Sequence, residues 1–181
     1  MRSEDLPPGL AQSLSPGFPD PRALAGDEAD LLYRARQFYA AERDAMAYLS
    51  RAEHTRRNLS LKLRKKGHEE GAIVHALDRL ESREYVSDRR FAESWLRSRA
   101  QRRNEGHGKL LAGLLARGVS GTVAREALER LFTETDERSL CAAAMEKLVR
   151  TGKTGDKLTL SLVRKGFSLS MIRSCMKSGK E

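Results

Sequence analysis

Proline is missing from most of this chain. All five prolines (Pro7, Pro8, Pro16, Pro19 and Pro21) fall in the first 21 residues, beside Gly9, Gly17 and Gly26. After them only glycine and capping residues can interrupt a helix, because no residue remains that both lacks a backbone donor and clashes with the preceding turn. Cysteine is nearly missing too. Cys141 and Cys175 stand inside apolar helical patterns and read as small core residues rather than a disulfide or a metal pair. No apolar run approaches the roughly 20 residues of a bilayer span. The opening segment from Met1 to Pro8 has no continuous apolar stretch of signal-peptide type, so a cytoplasmic protein is expected. No segment alternates apolar and polar residues as a half-buried strand does.

Catalytic patterns are lacking as well. His54, His68, His75 and His107 are scattered; His68 and His75 could share a helix face, but no third ligand stands at a recognisable spacing. Gly106, His107, Gly108 and Lys109 have neither the length nor the terminal Lys-Ser/Thr of a phosphate loop, and no serine sits in a nucleophile elbow. No enzyme, cofactor or metal site is expected.

What the chain does have is a phrase that occurs three times. It runs from Leu59 through Leu63 and Lys66 to Gly67, from Leu110 through Leu114 and Arg117 to Gly118, and from Leu158 through Leu162 and Lys165 to Gly166. Leucines stand eight and four residues before each glycine, and a basic residue directly before it. Ten residues past the glycines stand Leu77, Leu128 and Met176; nine past stand Ala76, Ala127 and Cys175. The glycines lie 51 and 48 residues apart, so the unit is about fifty residues long. Such a period marks a repeat architecture in which each unit covers its neighbour's apolar face.

The reading is an all-α tandem array of three three-helix repeats, elongated and curved. Its divisions are a disordered Pro/Gly-rich tail (1–26), a helical lead-in (27–40), repeat 1 (41–84), repeat 2 (85–133) and repeat 3 (134–181). The first helix of repeat 1 is expected from Ala41 to about Glu53. Thr55, Ser87, Ser120 and Ser168 are expected as N-caps, with Gly67 at the left-handed position after the second helix of repeat 1. In repeat 2 the second helix is expected to start near Gly108.

The net charge of +9 is unevenly placed: residues 1–40 carry −2 and residues 41–181 carry +11. A basic repeat region favours nucleic acid or an acidic protein surface as partner. Basic side chains near a helix C-terminus also complement its dipole, which accounts for part of the pattern without a ligand. Arg56, Arg57 and Lys66 cluster on and after the second helix of repeat 1, and Arg97, Arg99, Arg103 and Lys109 frame the loop of repeat 2. Arg117 and Lys165 repeat the position of Lys66.

Tyr48, Leu49, Glu53, His54, Thr55, Arg56 and Leu59 resemble the first-repeat signature of the RecX family. The stretch from Leu80 through Tyr85, Asp88, Arg90 and Phe91 to Trp95 resembles its most recognisable segment. The match spans about Ala41 to Met176; Ala52 stands where the family usually has Arg, and the loop around Gly106 lacks its proline. The resemblance implies three-helix repeats that modulate, and mainly inhibit, the RecA recombinase. It implies binding in the groove of RecA–DNA filaments and suppression of strand exchange, then of ATP hydrolysis and SOS co-protease activity. Arg56, Arg57, Lys66, Arg97, Arg99, Arg103, Lys109, Arg117 and Lys165 are the contacts expected for RecA and for single- or double-stranded DNA, made by a monomer with no membrane partner. Tyr85, Asp88, Arg90 and Phe91 are expected to fix a junction between repeats. The alternative is a basic helical DNA-binding module without a recombinase partner.

Overall fold

The computed structural model describes residues 26–178. The tail expected over 1–26 therefore lies, Gly26 excepted, outside the described residues. Among the described residues every regular element is a helix: α1 (Gly26–Leu49), α2 (Arg56–Lys65), α3 (Glu70–Ser82), α4 (Asp88–Arg103), α5 (His107–Ala116), α6 (Gly121–Glu134), α7 (Glu137–Arg150), α8 (Gly155–Arg164) and α9 (Leu169–Ser178). The chain divides into two compact units. One runs to Ala52 and resumes over Leu59–Tyr85; the other takes Glu53–Asn58 and everything from Val86.

In the first unit α1 packs along α3, with Phe38, Ala41 and Ala76 buried together and Tyr39 and Ala72 beside them. The leucines of the repeated phrase, Leu59 and Leu63, are fully buried. The expected lead-in and the first helix of repeat 1 lie on one uninterrupted α1, because nothing between Asp27 and Leu49 breaks a helix. It stops short of the expected Glu53. The following residues leave helical geometry so that Thr55 can cap α2, its hydroxyl oxygen accepting from the Asn58 N–H at 3.0 Å.

The second unit holds two apolar cores. Phe91, Leu96, Leu110, Leu114, Leu128 and Leu131 build one among α4, α5 and α6; Cys141, Ala144, Leu158, Leu162, Phe167 and Ile172 build the other among α7, α8 and α9. Ser87, Ser120 and Ser168 each accept from the backbone N–H three residues on, at 3.2 to 3.3 Å, as N-caps. Asp136 caps α7 in the same way, accepting from the N–H groups of Arg138 and Ser139 at 3.1 and 3.0 Å. The expected start of α5 near Gly108 is found one residue earlier, at His107.

The three glycines of the phrase all sit in left-handed backbone, with φ of 89°, 87° and 92°. Each closes its helix by the same pair of hydrogen bonds. At Gly118 its own N–H donates to Leu115 O (2.9 Å) and the Val119 N–H to Leu114 O (3.2 Å), and at Gly166 the donors are Gly166 to Val163 O and Phe167 to Leu162 O. Val119 and Phe167 then turn inward and are 3% exposed, which ties each helix end to its core.

The glycines differ in what surrounds them. A Cβ on Gly67 would meet nothing within 4 Å, whereas one on Gly166 would fall against the backbone of Lys109, with Lys109 Cα at 2.9 Å. Gly67→Ala is expected to cost about 1 kcal/mol, the left-handed strain alone. Gly166→Ala is expected to cost about 3 kcal/mol or more once overpacking is added. Urea denaturation of the two variants checks the difference.

Candidate functional site

The second unit is held by a contact made twice. Thr55 Oγ1 donates to Arg117 O at 2.9 Å, so one buried hydroxyl caps the start of α2 and satisfies a carbonyl at the end of α5. The Arg56 N–H donates to Asp88 Oδ1 (3.0 Å), and Arg90 Nε donates to Glu53 Oε1 (2.9 Å). Gly118 lies so close to Arg57 that a Cβ there would be 2.7 Å from Arg57 Cβ. The second copy lies 51 residues on along the donor side and 48 or 49 along the acceptor side. The Gly106 N–H donates to Lys165 O (2.9 Å), the His107 N–H to Glu137 Oε1 (2.8 Å) and the Gly108 N–H to Gly166 O (3.1 Å). Asp88 and Arg90 thus hold a junction in this structure.

The basic residue before each glycine is tied down. Lys66 Nζ stands 2.9 Å from Asp44 Oδ2, which also accepts from His68 Nε2 at 2.8 Å. Lys66 and then His68 hold the Asp44 carboxyl below the usual carboxylate range. The Arg117 guanidinium lies 4.7 Å from the centre of the Trp95 ring and donates from Nη1 to Gly113 O at 2.8 Å. Arg99 lies 5.0 Å from the same ring and pairs with the buried Glu105 at 3.3 Å. Lys165 donates from Nζ to Arg103 O at 2.8 Å, at the end of α4. Burial first, then the charges of Lys147, Lys109 and Arg103 against that of Glu105, draw Lys165 below the usual lysine range.

Of the nine expected contact residues, the structure places Lys66 in the first unit and the other eight in the second. Lys66, Arg99, Arg117 and Lys165 each have a partner inside the protein, and Arg56 is half-buried at the junction. Arg57, Arg97, Arg103 and Lys109 are exposed, with no carboxylate partner among the described residues. The second unit brings Arg103, Lys109 and Lys165 together and adds Lys147, whose ammonium donates to Asn104 Oδ1 at 2.6 Å. Lys147 carries no sequence signal, because its partner lies 43 residues away. Asp44 and Trp95 had a signal that was missed: each stands 22 residues before the basic residue it holds.

Cys141 and Cys175 are free and buried, and burial followed by the neighbouring Cys175 pushes the Cys141 thiol up to about 12, far from the reactive thiolate. Among the described residues no group of three or more His, Cys, Asp or Glu side chains could hold a metal ion, and no helix is long and apolar enough to cross a membrane.

Fold and site together define a tandem three-helix-repeat protein with exposed basic side chains on its surface. Residues 41–80 match the family model described as RecX, first three-helix domain, and residues 87–128 match that described as RecX, second three-helix domain. The chain is 38% identical over 138 residues to the regulatory protein RecX of Treponema pallidum (strain Nichols), covering 76% of this chain and 84% of that one. It is 35% identical over 138 residues to the regulatory protein RecX of Chlorobaculum tepidum, covering 74% and 84%. The crystal structure of RecX from Lactobacillus salivarius superposes with a TM-score of 0.70 at 25% identity, over 80% of this chain and 97% of that one. The chain belongs to the RecX family of regulatory proteins.

Asp44→Asn is expected to lower stability by about 1 kcal/mol at neutral pH, the net worth of a charge-assisted contact. Because the native carboxyl is held low, Asp44's contribution is present above the ordinary Asp range near pH ~4 and is lost as pH falls below it. Thermal melts between pH 3 and 7 are expected to show the variant and the wild type converging at the acid end.

Proposed function

We propose that the chain is a regulator, mainly an inhibitor, of a RecA-type recombinase, binding in the groove of the recombinase–DNA filament. Family membership is the observation that carries this reading, since the relatives are named regulatory proteins. The chemistry is compatible. The region from residue 41 carries +11, and Arg57, Arg97, Arg103 and Lys109 leave their charges unpaired by carboxylates among the described residues. Charges of that kind attract a polyanion with little sequence preference.

Within this reading the chain acts as a cytoplasmic monomer made of the three repeats 41–84, 85–133 and 134–181, and needs no catalytic residue. Suppression of strand exchange comes first, and suppression of ATP hydrolysis and of co-protease activity follows. The four exposed cations are the leading contacts. Lys66, Arg99, Arg117, Lys165 and Arg56 serve the binding surface in addition to their internal partners.

Purified protein added to RecA filaments is expected to suppress strand exchange at substoichiometric amounts. A folded protein with no effect would contradict the reading. The second reading, a DNA-binding module without a recombinase partner, rests on the same unpaired cations. It predicts filament-independent DNA binding that weakens steeply with salt.

A further inference from the structure

Within the second unit, α5 and the turn from α8 to α9 enclose an open groove of about 680 Å³. Its lining is not that of a phosphate track. Ala112, Val163 and Phe167 supply apolar floor beside the bare backbones of Gly108 and Gly166, in a chain whose residues are one third charged. Val163 is 42% exposed; Leu160, one turn before it, is 56% exposed, and Leu115, three residues past Ala112, is 44% exposed. Residues three apart are neighbours on a helix surface, so the groove opens onto further apolar surface.

The polar groups of the groove point the same way. Glu137, the carboxylate in the lining, is engaged by the His107 N–H, and the Gly108 N–H is taken by Gly166 O. Two donors of the first turn of α5, which would otherwise receive an anion, are therefore occupied. Lys109 and Arg164 remain on the lining, both exposed and neither paired with a carboxylate among the described residues. A DNA backbone would use these cations but leave the apolar floor in water. A protein segment uses both, since interface cores combine apolar burial with a polar rim.

We propose that this groove receives an acidic segment of the recombinase protomer, seating an apolar side chain between Ala112 and Val163 while Lys109 and Arg164 meet its carboxylates. The proposal rests on the filament reading and deepens it by assigning Lys109 and this face to the protein contact and leaving Arg57, Arg97 and Arg103 for the DNA contact.

The test is a charge-preserving pair of substitutions, Ala112→Gln with Val163→Gln, at two exposed positions, so that electrostatic attraction to DNA is untouched. Affinity is measured for RecA filaments assembled on DNA and, separately, for the same DNA alone across a salt series. Filament affinity is expected to fall about tenfold or more, the effect of losing an anchoring contact, with DNA affinity and its salt dependence unchanged. Filament affinity that stays at the wild-type value overturns the proposal. A parallel loss on filament and on DNA alone also overturns it, making the groove a nucleic-acid surface. A wild-type chain that binds DNA and ignores the filament overturns the filament reading itself. Circular dichroism confirms folding, and Val163→Ser serves as the milder variant if the pair melts early.

Discussion

The last carbonyls of a helix have no partner within it, and here two of them join one part of the chain to the next. Arg117 O receives the Thr55 hydroxyl, and Lys165 O receives the Gly106 N–H. Both carbonyls immediately precede a glycine in left-handed backbone, which turns the chain sharply enough to leave them accessible. The missing Cβ then lets the start of another helix approach to contact distance, with Arg57 on Gly118 and Lys109 on Gly166. One residue type thus ends a helix, aims a carbonyl and makes room for a neighbour. The acidic side chains of Asp88 and Glu137 complete each contact by accepting the N–H groups of Arg56 and His107.

That constraint sorts the positive charges. A basic residue before the glycine is well placed to steady the turn, and Lys66, Arg117 and Lys165 all do so by different chemistry: a carboxylate, an aromatic face and a backbone carbonyl. The recurrence of a cation at that register is therefore a feature of the fold before it is a feature of binding. The charges free to act outward are those the turns do not use, such as Arg57, Arg97, Arg103 and Lys109. The α5–α8 groove, with its apolar floor, is separate chemistry again.

The helical class and the glycine turns were legible because their causes are local. Leucines four apart, a glycine past the last turn and a hydroxyl before the first need only nearby residues to act, and Thr55, Ser87, Ser120 and Ser168 all cap where the pattern says. The division drawn at residue 40 falls inside α1, in a segment with no glycine or proline to interrupt a helix. What stayed hidden depended on distant partners. Thr55 reads as a cap, yet nothing near it says that it also reaches Arg117, 62 residues on. Gly106 and Gly108 read as a failed phosphate loop, whereas their small size serves contact with Phe167 and Gly166. The pairing of Lys147 with Asn104 left no trace in spacing at all.

In the proposed function the repeats are platforms whose outer faces meet a filament. The second unit depends most on the twofold role of Thr55, which is fully buried and serves two helix ends through one oxygen. Thr55→Val keeps the shape and removes the hydroxyl. Equilibrium urea unfolding is predicted to show a loss of about 2 to 3 kcal/mol, since both a cap and a buried acceptor lose their partner. A loss below about 0.5 kcal/mol, the range of an ordinary surface change, would contradict the claim that this carbonyl contact holds the unit together.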